Sequence, residues 1–469
     1  MNPSPVTRPS SPQGRKALVV GLGDTGAACV RWLLEHDAEV RATDSRPSPP
    51  HAQHLSEAFP EVVLRLGGFD PADFAWADLI VVSPGVPVAT PEILAARDAG
   101  KEIVGDVELF ARAIAGTKSK VIAITGSNGK STVTRLAGHL CAAAGLDTEV
   151  AGNIGLPVLD ALAERDLAGR APDVWVLELS SFQLETTTSL RADAATVLNI
   201  SEDHMDRYAG LADYAAAKAA IFRDCRVQVL NRDDPRVMQM AAPGKAQVSF
   251  GLDPAEATGE YGLVEAEGRT WLRRESLQLF DVADLPLAGR HNAANAMAAL
   301  ALCEAIGLDP ARLLPALGSF QGLPHRVEKV AQIHGVTWYD DSKGTNVGAT
   351  VAALRGFSQP VLLIAGGDGK GQDFTPLRDA LGHARAVVLI GRDAPRIEAA
   401  IAGAAPVRHA STLEAAFGLC HALAQAGDVV LLSPACASFD MFRNYVHRAE
   451  VFTVAVRALA QDGEATRVL

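Results

Sequence analysis

The strongest chemical signal in the chain is the run Thr125-Gly126-Ser127-Asn128-Gly129-Lys130-Ser131-Thr132. Consecutive backbone N–H groups in such a Gly-rich turn cradle phosphate oxygens, Lys130 reaches the terminal phosphates, and a hydroxyl from Ser131 or Thr132 is of the type that holds Mg²⁺. The usual spacing puts four residues between the glycines; here only Ser127 and Asn128 separate Gly126 from Gly129, so the loop is a shortened variant. A flexible turn with a solvated lysine is the bland alternative, and the apolar strand before it and helical pattern after it weigh against that. Glu178 follows the apolar run Val174–Leu177, where a second acidic ligand for nucleotide-bound Mg²⁺ would sit, although a strand-end Glu also serves as a cap or surface charge. His204 also follows an apolar run. Lys218 lies among alanines, and by itself it reads as a lysine snorkelling at the surface.

Two further clusters flank this centre. Gly21-x-Gly23-x-x-Gly26 follows a strand pattern, and Asp44 ends the next one, the context in which glycines let a nucleotide diphosphate approach a helix N-terminus. The motif does not by itself specify NAD, and a strand-to-helix turn needs glycine for geometry alone. Towards the C-terminus come His325-Arg326, the stretch from Asp340 to Asn346, Gly366-Gly367-Asp368-Gly369-Lys370 and the stretch from Ser433 to Asp440. Arg326 could neutralise phosphate charge from another domain, and Lys343 and Lys370 could bind a carboxylate. Ordinary polar turns are the competing reading.

These residues need scaffolds, and three times the sequence restarts with a β-branched run, a Gly-rich turn and a helical pattern, which predicts parallel α/β units. The expected division is a disordered tail over 1–14 and α/β domains over 15–108, 109–322 and 323–469, with an antiparallel excursion near 255–285. The 469 residues are 48% hydrophobic and 21% charged, which excludes disorder and collagen-like repeats and exceeds one compact core. With 43 Lys+Arg against 55 Asp+Glu the net charge is −12, which argues against a broad nucleic-acid-binding face but allows local phosphate pockets. Six scattered cysteines without a C-x-x-C pair read as reduced thiols, and the Pro/Ser-rich start reads as a disordered tail rather than a signal peptide. No apolar run reaches membrane-spanning length, so a cytoplasmic protein is expected.

Taken jointly, TGSNGKST, GNIG, LELSSFQLE, NISEDHMDRY, RHNAANAMAAL, LPHR, DDSKGTNVGAT, GGDGKG and SPACASFDMF resemble the Mur ligases, the ATP-dependent amide-forming enzymes of peptidoglycan precursor synthesis. The resemblance covers essentially the whole chain after the tail. It implies a Rossmann-like N-terminal domain holding a UDP sugar, a central P-loop ATPase-like domain and a C-terminal Rossmann-like α/β domain for the amino acid. On the UDP substrate it implies Gly23, Asp24, Thr25, Asp44, Ser45, Arg46, Ser83, Gly85, Asn153 and His204. For ATP it implies the loop from Gly126 to Thr132, with Asn292 and Asn295 near the adenine and Arg326 and Asp341 arriving on domain closure. Two Mg²⁺ ions would be held by Ser131, Thr132, Glu178, His204 and Lys218, the last carbamylated by CO₂. Lys130, Glu178, His204 and Lys218 would be catalytic, and Lys343, Thr345, Lys370, Ser438, Phe439 and Tyr445 would surround the amino acid.

The activity so implied is attachment of D-glutamate to the alanyl carboxylate of UDP-N-acetylmuramoyl-L-alanine through an acyl phosphate, by a monomeric enzyme. A related Mur or folylpolyglutamate-type ligase with another amino acid or acceptor is the alternative within the class. A nucleotide-binding module without catalysis, or a Rossmann-type dehydrogenase, stand outside it.

Overall fold

The computed structural model describes residues 11–287 and 289–465. Most of the tail expected over 1–14 lies outside them; residues 11–14 form a turn in which the Gly14 N–H donates to the Asp37 carbonyl at 2.9 Å. Three sheets follow in chain order.

The first sheet contains β1 (Lys16–Val20), β2 (Glu39–Asp44), β3 (Val63–Leu66), β4 (Leu79–Val82) and β5 (Glu102–Val104), in the order β3-β2-β1-β4-β5. All its pairings are parallel. The order reverses beside β1, and ligands of open α/β sheets gather at the carboxyl ends of strands at such a switch point.

The second sheet has nine strands: β6 (Lys120–Thr125), β7 (Thr148–Gly152), β8 (Val174–Glu178), β9 (Ala194–Val197), β10 (Val227–Asn231), β11 (Ala246–Phe250), β12 (Glu260–Ala266), β13 (Arg269–Arg274) and β14 (Leu277–Asp281). Its order is β14-β13-β12-β11-β10-β9-β6-β8-β7, parallel except for the antiparallel ribbon β12-β13-β14, which is the excursion expected from the sequence. β6 and β8 are buried on both faces, as their unbroken apolar runs require. Their register sets Ile124 beside Glu178, so the acidic strand end lies next to the start of the phosphate loop.

The third sheet contains β15 (Glu328–Ile333), β16 (Val336–Asp340), β17 (Val361–Gly366), β18 (Ala384–Ile390), β19 (Val407–His409) and β20 (Val429–Leu432), in the order β15-β16-β20-β17-β18-β19. Only the β15–β16 pair is antiparallel.

The break expected at 108/109 falls inside helix Asp106–Ala113. Val107, Leu109 and Phe110 of that helix share one hydrophobic core with Val19 of β1 and Trp175 of β8, the Phe110 and Trp175 rings meeting edge to face at 5.0 Å. A chain break inside this helix would split a core, so the first two sheets are joined by packing as well as by the chain. All six cysteines are buried thiols. Among the described residues no helix is long and apolar enough to cross a membrane.

Candidate active site

The phosphate loop links β6 to helix Lys130–Ala143, with Gly129 in the left-handed region at φ +84°. A side chain there would also strike Asn295 Oδ1 at 2.6 Å, so glycine is required twice over. The segment after β9 pins the loop: Asn128 N–H donates to Asn199 Oδ1 at 2.9 Å, and Ser127 Oγ donates to the Ser201 carbonyl at 2.9 Å. Lys130 Nζ folds back to donate to the Gly126 and Ser127 carbonyls at 2.8 and 3.0 Å. Burial lowers its pKa, while Glu178 and Asp203 oppose that shift.

Glu178 is buried at the end of β8. Its Oε1 accepts from Asn153 Nδ2 at 2.9 Å, whereas its Oε2 is buried without a hydrogen-bond partner. A buried carboxylate oxygen left in this state fits a cation ligand. His204 adopts φ +58°, and burial lowers its pKa, leaving the neutral imidazole that metal ions prefer.

Lys218, on helix Leu211–Ala219, is 1% exposed, so the snorkelling reading is wrong. Its Nζ donates to Thr125 Oγ1 at 3.3 Å and lies 4.6 Å from the centre of the Tyr214 ring. Burial, then the charge of Lys130, holds its pKa well below the ordinary lysine value. Among the described residues no carboxylate is within ion-pair distance of it, and the neutral amine is the form able to add CO₂.

Beside the loop, a cavity of about 230 Å³ is lined by Asn128, Gly129, Thr132, Asn292 and Asn295 from the second unit and by Arg326, Asp341 and Lys343 from the third. Asn295 Nδ2 donates to Asn292 Oδ1 at 3.0 Å. Arg326 Nη2 donates to Ser131 Oγ at 2.9 Å, and Asn346 Nδ2 donates to Asn128 Oδ1 at 3.0 Å, so the third unit stands closed on the loop. Asp341 accepts from Ser433 Oγ at 2.6 Å, and burial pushes its pKa up to about 7.

The cationic wall comes from turns of the third unit. Lys343 Nζ sits 3.9 Å from the centre of the Tyr445 ring, and burial followed by the Arg326 charge lowers its pKa to about 8. Lys370, at φ +49°, donates to Asp203 Oδ1 at 3.4 Å. Burial pushes Asp203 up, but Lys370, His204 and Lys130 outweigh it and the net shift is downward. Ser438 is buried and Thr345 half-buried. Phe439 is 73% exposed, so its ring does not help enclose the site.

A second cavity, of about 600 Å³, opens at the switch point of the first sheet. Gly23, Asp24, Thr25, Asp44, Ser45, Arg46, Ser83, Gly85 and Asn153 all line it; His204 does not. Gly26 permits the tight turn, since a Cβ there would lie 1.8 Å from the Gly21 carbonyl oxygen. Asp44 accepts from the Leu22 N–H at 2.7 Å and from Arg46 Nε and Nη2 at 2.9 and 2.7 Å, so Arg46 is held as an ion pair at this end of the cavity.

Sequence reasoning missed four residues. Gln183 lines the second cavity, and its only sequence signal was the capping box it forms with Ser180. Asp203, Asn346 and Arg207 bridge units, and each was visible only as a neighbour of a chosen residue.

Comparison with known proteins follows the same three-part division. The Mur ligase MurD-like N-terminal domain matches residues 15–105, the Mur ligase middle domain 124–303 and the Mur ligase glutamate ligase domain 325–436. The UDP-N-acetylmuramoylalanine--D-glutamate ligase of Chromobacterium violaceum is 58% identical over 447 residues, covering 95% of this chain and 98% of its own. That of Thiobacillus denitrificans is 59% identical over 464 residues, covering 95% and 97%. The crystal structure of MurF ligase from Thermotoga maritima in complex with ADP shares the fold, with a TM-score of 0.60 at 16% identity over 95% of this chain and 96% of that one. The chain therefore belongs to the Mur ligase family.

Proposed function

We propose that the protein joins D-glutamate to UDP-N-acetylmuramoyl-L-alanine at the expense of ATP, as a cytoplasmic enzyme acting as a monomer. The observation that carries the reading is the closure of the third unit on the phosphate loop: Arg326 meets Ser131 at 2.9 Å, Lys343 lines the same cavity as Gly129 and Thr132, and Lys370 reaches Asp203 at 3.4 Å. Two lysines opposite a phosphate loop suit a dicarboxylic amino acid that must attack next to the γ-phosphoryl group. The 52–59% identity to ligases named for this reaction supports the same substrates.

A carboxylate resists an amine nucleophile because its charge repels the incoming lone pair and oxide leaves poorly. Transfer of the γ-phosphoryl group to the alanyl carboxylate gives an acyl phosphate, from which phosphate can leave. Lys130 disperses charge on the transferring group, and Arg326 adds a second cation from the third unit. The glutamate amine then attacks the acyl carbon, and the tetrahedral intermediate collapses to the amide and phosphate. Lys343 and Lys370 hold the glutamate carboxylates, and closure of the third unit keeps out the water that would hydrolyse the acyl phosphate.

Ser131, Thr132, Glu178, His204 and carbamylated Lys218 would hold two Mg²⁺ ions. The orphaned Glu178 Oε2, and the burial that lowers the pKa of both His204 and Lys218, fit that role. Bound there, Mg²⁺ would offset negative charge on the phosphates. The glycine turn would receive the UDP diphosphate in the second cavity, with Asp44, Ser45 and Arg46 on the uridine side.

The test is phosphate release from ATP and Mg²⁺ with UDP-N-acetylmuramoyl-L-alanine and, in turn, D-glutamate, L-glutamate, meso-diaminopimelate or no amino acid. Release dependent on D-glutamate, with a product heavier by one glutamyl residue, is expected; Lys130→Ala should nearly abolish it. Release indifferent to the amino acid, or none, would leave only the nucleotide-binding fold.

A further inference from the structure

Arg207 stands three residues after His204 and has no part in the chemistry above, yet its side chain crosses from the second unit to the first. Nη1 donates to the Pro84 carbonyl at 3.2 Å and Nη2 to the Val86 carbonyl at 3.1 Å. These carbonyls belong to the turn after β4, closed by the Val86 N–H donating to the Ser83 carbonyl at 2.9 Å. The turn lines the 600 Å³ cavity, and Ser83 Oγ ties it to the glycine turn by donating to the Gly21 carbonyl at 2.7 Å.

The other end of Arg207 is fixed against the catalytic segment. Its guanidinium carbon lies 4.2 Å from the centre of the Phe182 ring, and Nη2 is 3.5 Å from Glu185 Oε2. The same Phe182 ring meets His204 at 4.8 Å, with 62° between the planes. The Arg207 backbone N–H donates to the His204 carbonyl at 2.9 Å, beside the left-handed φ of +58° that His204 must hold. The side chain is 13% exposed, and its two donors address carbonyls two residues apart, a match for a planar fork that a lysine ammonium cannot make at both positions.

We propose that Arg207 is a positioning residue for the UDP-bearing substrate: it clamps the Ser83–Val86 turn of the first unit onto the His204 segment of the second. One side chain then sets both the shape of the UDP cavity and the distance from that cavity to the phosphoryl-transfer site. The inference rests on the UDP-substrate reading of the 600 Å³ cavity given above.

The experiment compares the full-length protein with Arg207→Met and Arg207→Lys. It uses initial rates in UDP-N-acetylmuramoyl-L-alanine, ATP and D-glutamate, calorimetric titration with UDP alone, and thermal melting. For Arg207→Met the KM for the UDP substrate should rise about tenfold, or about 1.4 kcal/mol, and UDP affinity should fall to match. The KM values for ATP and D-glutamate should stay within about twofold, with unchanged melting, and Arg207→Lys should recover part of the loss. Equal UDP affinity in Arg207→Met and the unaltered protein would overturn the clamp. So would a parallel rise of all three KM values with lowered melting, which is the mark of a structural role alone. An unaltered protein that fails to bind UDP would instead remove the reading of the cavity, and the clamp with it.

Discussion

Arg326 and Ser131, 195 residues apart in sequence, meet at 2.9 Å, the guanidinium of the third unit donating to the hydroxyl at the start of the helix behind the phosphate loop. The contact places a cation at the start of the helix behind the Gly126–Thr132 loop, where the proposed ATP phosphates would lie, and the third unit must be closed for it to exist. Arg326→Ala is expected to lower kcat by about 10³-fold, the lower range for a cation supplied to a transferring phosphoryl group. Arg326→Lys should restore little, because one ammonium cannot match the fork. Stopped-time phosphate release checks this, and near-normal kcat in Arg326→Ala would remove the residue from the chemistry.

Gly152 and Glu178 are paired across β7 and β8, and a Cβ at Gly152 would lie 2.3 Å from the Glu178 carbonyl oxygen. Gly152 also holds φ +108°, which L side chains rarely adopt. Gly152→Ala should therefore cost about 1–3 kcal/mol of stability and push the end of β8, with the Glu178 carboxylate proposed to hold Mg²⁺, out of place. Urea unfolding reads the first effect and Mg²⁺-dependent ADP binding the second. A variant with unchanged midpoint and unchanged nucleotide affinity would show that the strand end tolerates the shift.

What the sequence made legible follows from how local the cause is. The apolar runs Val121–Ile124 and Val174–Leu177 are strands because only a doubly covered parallel sheet buries such runs, and both appear within β6 and β8. Gly126, Gly129 and Lys130 were readable because a phosphate loop is a property of consecutive residues. The alanine-rich neighbours of Lys218 suggest a surface lysine, and only the family resemblance sets it in the site, because its burial comes from Tyr214 and Thr125, and Thr125 lies 93 residues away. Asp44 showed a strand-end carboxylate but not that Arg46, two residues on, would engage both its oxygens. Asn346 caps helix Val347–Arg355 through its Oδ1, as its type at that place predicts, while the same amide reaches Asn128, a role that exists only once two units meet.

Lys343 supplies a pH signature. Burial, with Arg326 and Lys130 nearby, brings its pKa down to about 8. The protonated form attracts a carboxylate, so the attraction is present below about pH 8 and lost as pH rises through it. Phosphates of a bound nucleotide oppose Arg326 and Lys130, so the transition should move upward when a non-hydrolysable ATP analogue is added. In protein labelled at lysine Cε, the resonance absent from Lys343→Arg should titrate near 8 and shift alkaline with the analogue. A resonance titrating at the ordinary lysine value of about 10.4 would exclude Lys343 as the pH-sensitive partner of glutamate.

Lys218 gives the sharpest test of the metal site. Burial beside Lys130 disfavours the cation and favours the neutral amine, whose lone pair can attack CO₂; the carbamate forms with release of a proton and puts a negative charge where the lysine would carry a positive one. A carboxylate-like group there would be attracted by Lys130 but would also face Glu178 and Asp203 as like charges, so bound Mg²⁺ would be needed to hold the negative groups together. Protein equilibrated with ¹³C-labelled CO₂ should show a carbamate resonance that is missing from Lys218→Arg and disappears on acidification as the amine reprotonates. Lys218→Ala should lose activity and regain part of it with added short carboxylates, which can enter the space vacated by the side chain. A fully active Lys218→Ala protein would mean that the buried amine serves packing, and that Glu178 and His204 suffice for the metal site without it.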